Sequence, residues 1–120
     1  MLSASFQRFF KFWFPVIGYS GIIFYVSGLP SLGMPLPIPF IDKLVHLVEY
    51  SILGFLFSRA LKGTTLLTNK NILVSCTIFC ILFGLSDELH QMFVPGRDAT
   101  LGDALADSIG GLLGGIVLRK

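Results

Sequence analysis

Charged side chains are scarce in this chain of 120 residues, because Asp, Glu, Lys and Arg together make up only 13%. Soluble domains carry about 25% of these residues. Hydrophobic residues amount to 53% and the mean hydropathy is +0.79. These values exclude an ordinary soluble domain and predict a single membrane domain over residues 1–120. A net charge of +2 is too small to favour a nucleic-acid partner.

Cysteine is also scarce, since only Cys76 and Cys80 are present. They lie four residues apart on an apolar segment, where two thiols on one helix stripe are poorly aimed for a disulfide. No second thiol pair completes a metal site. We therefore interpret both as small packing residues.

Four predominantly apolar runs predict an all-α membrane protein, a bundle of four transmembrane helices. The predicted spans cover about residues 12–29, 43–61, 72–93 and 101–118. The first run is longer than the apolar part of a signal peptide, which favours a retained span. Prolines cluster in residues 29–39 and predict an extended connection, whereas Pro95-Gly96 predicts a turn that aims Arg97 toward the bundle.

The basic residues predict the orientation, because Lys and Arg accumulate on the cytoplasmic side of membrane proteins. With both termini inside, only Lys43 and Arg97 of the nine basic residues fall outside. All seven acids then lie in the outer half with both histidines. We expect a multi-pass protein of the bacterial cytoplasmic membrane with cytoplasmic termini.

Helical spacing sorts the polar residues onto one face of each of the last three spans. The predicted inward faces are Asp42, His46, Glu49, Leu53 and Leu56 in span two; Cys76, Cys80, Asp87 and Gln91, flanked by Gly84, Glu88 and His90, in span three; and Asp103, Asp107, Gly110 and Gly114 in span four. The opposite side of span two, Leu47, Val48, Ser51, Ile52 and Phe55, is predicted to face lipid. Charges below the headgroups need a cavity, a partner or a cation. The pattern therefore predicts a polar pocket that opens outward.

Three uses of this pocket remain open from the residues alone. In the first, the acids pair with Lys43, Arg97 and backbone groups and only hold the helices together. In the second, they bind a divalent metal together with imidazole. In the third, protons neutralise several of them. The metal candidates are Asp87, Glu88, His90 and His46. General acid/base work on a phosphate-bearing lipid fits better than a Ser86 nucleophile, because Ser86 points away from the Asp87 stripe.

Small and aromatic residues add two further predictions. Overlapping GxxxG patterns permit close helix approach, and they favour packing inside one bundle over a dimer seam. The glycines concerned are Gly110, Gly111, Gly114 and Gly115. Aromatic residues beside Arg8 and Lys11 predict an interfacial belt that anchors the first helix. They are Phe6, Phe9, Phe10, Phe12, Trp13 and Phe14.

Three blocks of this sequence resemble the VanZ-like family of small bacterial membrane proteins. They are the segment from Asp42 to Gly54, the segment Ser86-Asp-Glu-Leu-His-Gln-Met-Phe-Val-Pro-Gly-Arg97, and the segment from Asp103 to Gly114. The resemblance implies a four-helix membrane domain with recurrent polar positions at Asp42, Lys43, His46, Asp87, Glu88, His90, Gln91, Arg97 and Asp103. Asp107 departs from the pattern, because many relatives have asparagine there.

The resemblance also implies a link to resistance against the glycopeptide teicoplanin. We therefore expect an envelope protein that acts on or binds lipid-linked wall precursors or phospholipid headgroups at the outer leaflet. The hypothetical catalytic residues are Asp87, Glu88, His90 and His46; the hypothetical binding residues are Asp42, Lys43, Glu49, Tyr50, Gln91, Arg97, Asp103 and Asp107. The alternatives are a non-enzymatic binder of a lipid or lipoglycopeptide and a small ion- or proton-coupled transporter, in which Glu49, Asp103 and Asp107 relay the charge.

Overall fold

The computed structural model describes residues 3–27, 41–93 and 101–119, and these residues form four α-helices. They are α1 (Ala4–Ser27), α2 (Ile41–Thr64), α3 (Asn69–Gln91) and α4 (Leu101–Arg119). Three segments, α1, Leu44–Thr64 of α2, and α3, are long and apolar enough to cross a membrane. The all-helical class is thus confirmed. The predicted proline-rich connection and the turn before Arg97 lie outside the described residues.

The first helix begins eight residues before the predicted span, at Ala4 rather than near residue 12. The Ser3 hydroxyl caps its N-terminus by accepting a hydrogen bond from the Phe6 amide at 3.1 Å. The added turns carry Arg8, which interrupts the apolar run but not the helix. Hydropathy therefore located the apolar span and missed its polar extension.

A short connection joins α2 to α3 through threonine side chains. At the end of α2, the hydroxyls of Thr64 and Thr65 donate to the carbonyls of Ala60 and Leu61, each at 2.6 Å. Thr68 then caps α3 by accepting from the Asn71 amide. Both helices extend about three residues beyond their predicted limits, and the Thr68 cap satisfies one of the free amides in the first turn of α3.

Helices α2 and α4 form the most extensive interface of the bundle. Gly54 of α2 lies directly against the backbone of Gly111, and Gly110 and Gly114 lie against the α2 backbone. A Cβ atom at Gly110 would lie only 2.5 Å from the Leu47 carbonyl oxygen. The glycines therefore allow the two helix backbones to approach more closely than any side chain would permit.

The predicted lipid-facing side of α2 is partly wrong. Val48 and Ile52 are exposed, as expected. Leu47, Ser51 and Phe55, however, present their backbone atoms to the glycines of α4. The close approach of α4 covers the flank that side-chain polarity alone assigned to lipid.

The core lies between the helices and is built from residues of α1, α2 and α3. It consists of Ile23, Tyr50, Leu53, Cys76 and Cys80, with Tyr19, Phe57, Phe79 and Phe83 packed around it. Phe57 and Phe79 stack with ring centroids 4.2 Å apart. This cluster occupies the middle of the bundle, between its two ends.

Both cysteines are free and buried, which confirms that they are packing residues. The Cys76 thiol donates to the carbonyl oxygens of Gly54 at 3.3 Å and Gly111 at 3.5 Å. Cys80 fills the space over Gly111. The thiols thus connect α3 to the glycine interface between α2 and α4.

The aromatic belt of α1 is divided between two environments. Phe6, Phe9, Phe10 and Phe14 are exposed, as an interfacial anchor requires; Phe12 and Trp13 are instead partly buried. Trp13 donates from its indole nitrogen to the Thr64 hydroxyl at 3.1 Å and meets Phe57 edge-on. Trp13 therefore attaches α1 to α2 as well as belonging to the aromatic segment.

Candidate functional site

A short polar contact between helices joins His46 of α2 to Asp107 of α4. The His46 Nδ1 and Asp107 Oδ1 atoms lie 2.8 Å apart, so the imidazole N–H donates to the carboxylate. The other ring nitrogen of His46 lies 3.9 Å from an oxygen of Asp103. Both aspartates are one helical turn apart on α4 and are at most 1% exposed. The imidazole is thus held between two buried carboxylates.

Gly84 of α3 provides the space that the Asp107 carboxyl group occupies. A Cβ atom at Gly84 would lie 2.9 Å from Asp107 Oδ2 and 3.0 Å from Asp107 Cβ. That Oδ2 atom is buried and has no hydrogen-bond partner among the described residues. The sequence predicted Gly84 beside the polar stripe of α3. It did not reveal that the Asp107 carboxyl group occupies the space that a side chain at this position would need.

Glu88 brings a third helix into the cluster. One ligand atom each from His46, Glu88 and Asp107 lies within 4.8 Å of the others, and all three residues are buried. Carboxylate oxygens and imidazole nitrogens bind divalent metals at about 2.0–2.2 Å. The donor set therefore fits a divalent metal of the zinc or manganese type.

We call His46, Glu88 and Asp107 the triad. It differs in part from the metal candidates that the sequence indicated. His46 and Glu88 are common to both sets. Asp107 belongs to the triad but was not a predicted metal ligand. Asp87 and His90 were predicted metal ligands but do not belong to the triad. Asp87 is buried and lies close enough to Asp107 and Tyr50 for electrostatic interaction. Asp87 therefore belongs to the same cluster without contributing to the triad.

Tyr50 belongs to the hydrophobic core beside the polar cluster and is completely buried. Its hydroxyl has no hydrogen-bond partner in the described part of the chain, although the carboxylates of Asp107 and Asp87 are close. Its position one helical turn after His46 directs the ring toward Phe83, with centroids 6.0 Å apart. A buried hydroxyl without a partner is costly, so Tyr50 offers a donor for a bound group.

His90 lies apart from the triad and contacts α1 instead. Its ring stacks on Phe24 with centroids 4.1 Å apart and an angle of 7° between the planes. Its Nδ1 atom is buried and has no hydrogen-bond partner within residues 3–27, 41–93 and 101–119. Phe24 could not be singled out from the sequence, because it lies in an uninterrupted apolar run.

The remaining predicted site residues divide into two groups. Gln91 is buried on the inward face of α3, whereas Glu49 is half-buried and lies near Tyr19 of α1. The side chains of Asp42, Lys43 and Arg97 lie outside the described residues. Their predicted contribution to binding stays a prediction.

The sequence predicted a polar pocket that opens outward, whereas within the described residues the polar cluster is buried. His46, Asp87, Glu88, Asp103 and Asp107 are each at most 8% exposed. The His46 imidazole of α2 and acids of α3 and α4 thus share a buried volume near one end of the bundle. Such a group can hold a cation, exchange a proton or bind the polar part of a lipid once a path to it opens.

Comparison with known proteins agrees with the three sequence blocks that carry the resemblance. The VanZ/LLP1 family model matches residues 2–119, which include every residue of the polar cluster. Searches among curated proteins and among solved structures found no match. The chain therefore belongs to the VanZ/LLP1 family.

Proposed function

We propose that this protein is a four-span protein of the bacterial cytoplasmic membrane with both termini inside. The fourth helix, α4, has 19 residues and is about 28 Å long at 1.5 Å per residue. Its two aspartates are buried, and its exposed side chains are apolar, as Leu105, Ile109 and Leu113 show. This arrangement supports α4 as a span whose lipid-facing side carries no charge.

The orientation is supported by the separation of charge along the bundle. Arg8, Lys11, Arg59, Lys62 and Lys70 lie near the N-terminus of α1 and the connection between α2 and α3, where the sequence holds no acid. The histidine–carboxylate cluster lies toward the other end of α2. Because basic residues favour the cytoplasmic side, the cluster belongs to the outer half of the membrane.

Within this topology the polar cluster acts on or binds phosphate-bearing envelope lipids, such as lipid-linked wall precursors or phospholipids, at the outer leaflet. The observation that carries this proposal is the convergence of His46, Glu88 and Asp107 from three helices into one buried group. Structural fastening needs only paired charges, whereas this group contains more acids than bases. The surplus favours a cationic ligand or a proton-transfer role.

We assign different roles to the residues of this site. Glu88 and His46 are metal-binding groups together with Asp107, whereas Asp87 and His90 are acid/base groups. The groups that surround the bound headgroup are Asp42, Lys43, Glu49, Tyr50, Gln91, Arg97 and Asp103. Arg97 is suited to phosphate because a guanidinium binds phosphate oxygens in a bidentate manner. His46, Glu88 and Asp107 would hold a divalent ion, which when bound polarises a phosphate oxygen or activates a water molecule.

The test is mass spectrometry of lipid-linked wall precursor and phospholipids after incubation with purified protein, with added zinc or manganese or with a chelator. Wild type is compared with Asp87→Asn and with Ser86→Ala, a matched control because Ser86 is exposed on the neighbouring position. We expect a new lipid product with wild type and Ser86→Ala and none with Asp87→Asn.

The same measurement separates chemistry from binding. Unaltered lipid that co-purifies with wild type but not with Asp87→Asn shows a binder without catalysis. Full turnover by Asp87→Asn contradicts its assigned role, and loss of turnover only in Ser86→Ala points to a serine nucleophile instead. No product and no retained lipid with wild type contradict the proposal as a whole.

The link to teicoplanin is a separate part of the proposal, and it rests on family membership. If the outer-leaflet site alters or masks the target of the antibiotic, expression of wild type raises the teicoplanin concentration that inhibits growth. Asp87→Asn expressed at the same level does not. Transport is not proposed, because Leu53, Cys76 and Cys80 fill the middle of the bundle where a polar path is needed.

A further inference from the structure

A cavity lies at the basic end of the bundle, away from the histidine–carboxylate cluster. It has a volume of about 470 Å³ and is formed between the N-terminal turns of α1 and the end of α2. Arg8 and Lys62 line it from opposite helices, and Phe9 and Phe12 form apolar walls. The cavity therefore combines two cations with an apolar surface.

The charge around this cavity has one sign. The sequence contains no Asp or Glu in residues 3–16 or 57–75, which supply the whole lining. Arg59 lies over the Phe12 ring at 4.9 Å and Lys11 over the same ring at 5.7 Å, so two more cations surround the wall. An anion entering the cavity meets only attractive charges from these segments.

Hydroxyl groups fix the wall of the cavity rather than completing its recognition of a ligand. Thr64 donates to the Ala60 carbonyl and accepts from Trp13, and Thr65 donates to the Leu61 carbonyl. Their hydrogens are therefore already used within α2. Recognition falls to the guanidinium of Arg8 and the ammonium of Lys62, the two side chains suited to a phosphate group.

The location of the cavity matches the level of lipid headgroups. Trp13 donates to Thr64 in the wall of the cavity. Tryptophan is enriched at the membrane–water interface. Basic pockets between transmembrane helices at that level bind anionic headgroups.

We propose that the cavity between Arg8 and Lys62 binds the phosphate-containing headgroup of an anionic phospholipid, with the start of its acyl chains against Phe9 and Phe12. The site is independent of the polar cluster and of the function proposed for it. It would hold the basic end of the bundle in an anionic leaflet.

Trp13 provides a direct reporter, because it is the only tryptophan and bonds to Thr64 in the wall of the cavity. The experiment titrates the full-length protein in neutral detergent micelles with brominated phosphatidylglycerol or brominated phosphatidylcholine and records quenching of tryptophan fluorescence. The variants are Lys62→Gln, Lys62→Arg, the double variant Arg8→Gln/Lys62→Gln, and Lys70→Gln. Lys70 is the matched control, since it is an exposed lysine near the same end but does not line the cavity.

We expect phosphatidylglycerol to quench wild type at lower concentration than phosphatidylcholine. Each cation at a membrane surface contributes about 1 kcal/mol, which corresponds to about a fivefold change in affinity. Lys62→Gln should therefore weaken phosphatidylglycerol binding about fivefold and the double variant about 25-fold. Lys70→Gln should change it less than twofold, and Lys62→Arg should retain wild-type binding.

A competition arm separates a lipid from a free anion. Displacement of brominated phosphatidylglycerol only by unlabelled phosphatidylglycerol supports a headgroup site, whereas displacement by millimolar inorganic phosphate shows a free-anion site and contradicts the lipid proposal. An equal loss in Lys62→Gln and Lys70→Gln indicates diffuse surface charge and overturns it. Equal quenching by both lipids in wild type overturns it without reference to any variant.

Discussion

The two ends of the bundle differ in how deeply their ionisable side chains are buried. At one end His46, Asp103, Asp107 and Glu88 are buried between α2, α3 and α4. At the other end Arg8 and Lys62 are exposed around an open cavity. Charges in the first region are part of the packing, whereas charges in the second lie on a preformed surface.

This difference teaches that position along a span decides what a charge costs. A buried carboxylate must be compensated by a partner or a ligand, and the His46–Asp107 hydrogen bond provides part of that compensation. A lysine or arginine at the interface keeps its charged group in water and buries only its aliphatic stem. Substitutions that change only charge should therefore lower the free energy of unfolding most at the buried end.

The largest expected effect comes from separating α2 and α4 beside the buried cluster. Gly110→Ala places a methyl group 2.5 Å from the Leu47 carbonyl oxygen and 3.1 Å from Tyr50 Cβ. Because the contact is with backbone, the helices must move apart, and overpacking of this kind costs about 3 kcal/mol. The free energy of unfolding in mixed micelles, followed by circular dichroism during an SDS titration, measures this loss.

Gly21→Ala of α1 is the matched control for that substitution. A Cβ atom at Gly21 would meet nothing within 4 Å, and the residue is exposed. Replacing a helical glycine by alanine without a clash stabilises by about 0.5–1 kcal/mol. Equal stability changes in the two variants would mean that the glycine interface does not hold the buried end together.

A smaller effect is expected from the coupling between His46 and Asp107. Interhelical hydrogen bonds in membrane proteins are worth about 0.6–1.7 kcal/mol in double-mutant cycles, and this bond is short and fully buried. We therefore expect a coupling free energy of about 1.5 kcal/mol for His46→Leu and Asp107→Leu. The measurement is the same SDS titration on wild type, both single variants and the double variant.

Asp107→Asn sharpens the comparison, because it removes the charge of the side chain while keeping its size and shape. An amide oxygen accepts the same hydrogen bond from His46 Nδ1 but carries no charge. Stability close to wild type would show that the hydrogen bond, and not the charge, holds α2 to α4. A loss as large as that of Asp107→Leu would assign the whole effect to the carboxylate charge.

The sequence predicted the helices and the chemical character of the cluster, but not its pairing. Four apolar runs gave four helices, and the spacing of Asp103, Asp107 and Gly110 gave the buried face of α4 correctly. Which carboxylate meets His46 depends on the rotation and height of α4 against α2. The glycine contacts determine that register, and no periodicity within a single helix encodes it.

The same reason explains the assignment of Glu49. Residues three and four positions after His46 are nearly equivalent on a helical wheel, and polarity favoured Glu49 for the inward position. The approach of α4 along Leu47 and Ser51 places Tyr50 in the buried core and leaves Glu49 half-buried toward α1. Backbone contact therefore overrode the polarity pattern in choosing the inward face.

The smallest expected effect is at the basic end, where Arg59 lies 4.9 Å from the Phe12 ring centroid. A partly exposed cation–π contact contributes about 0.5–1 kcal/mol, so Arg59→Gln should lower the free energy of unfolding by about 0.5 kcal/mol. Arg59→Lys should restore most of it. The SDS titration that measures the His46–Asp107 coupling gives this value on the same scale. A loss above about 1.5 kcal/mol would place Arg59 in the same class as the buried cluster, and the contrast between the two ends would then not hold.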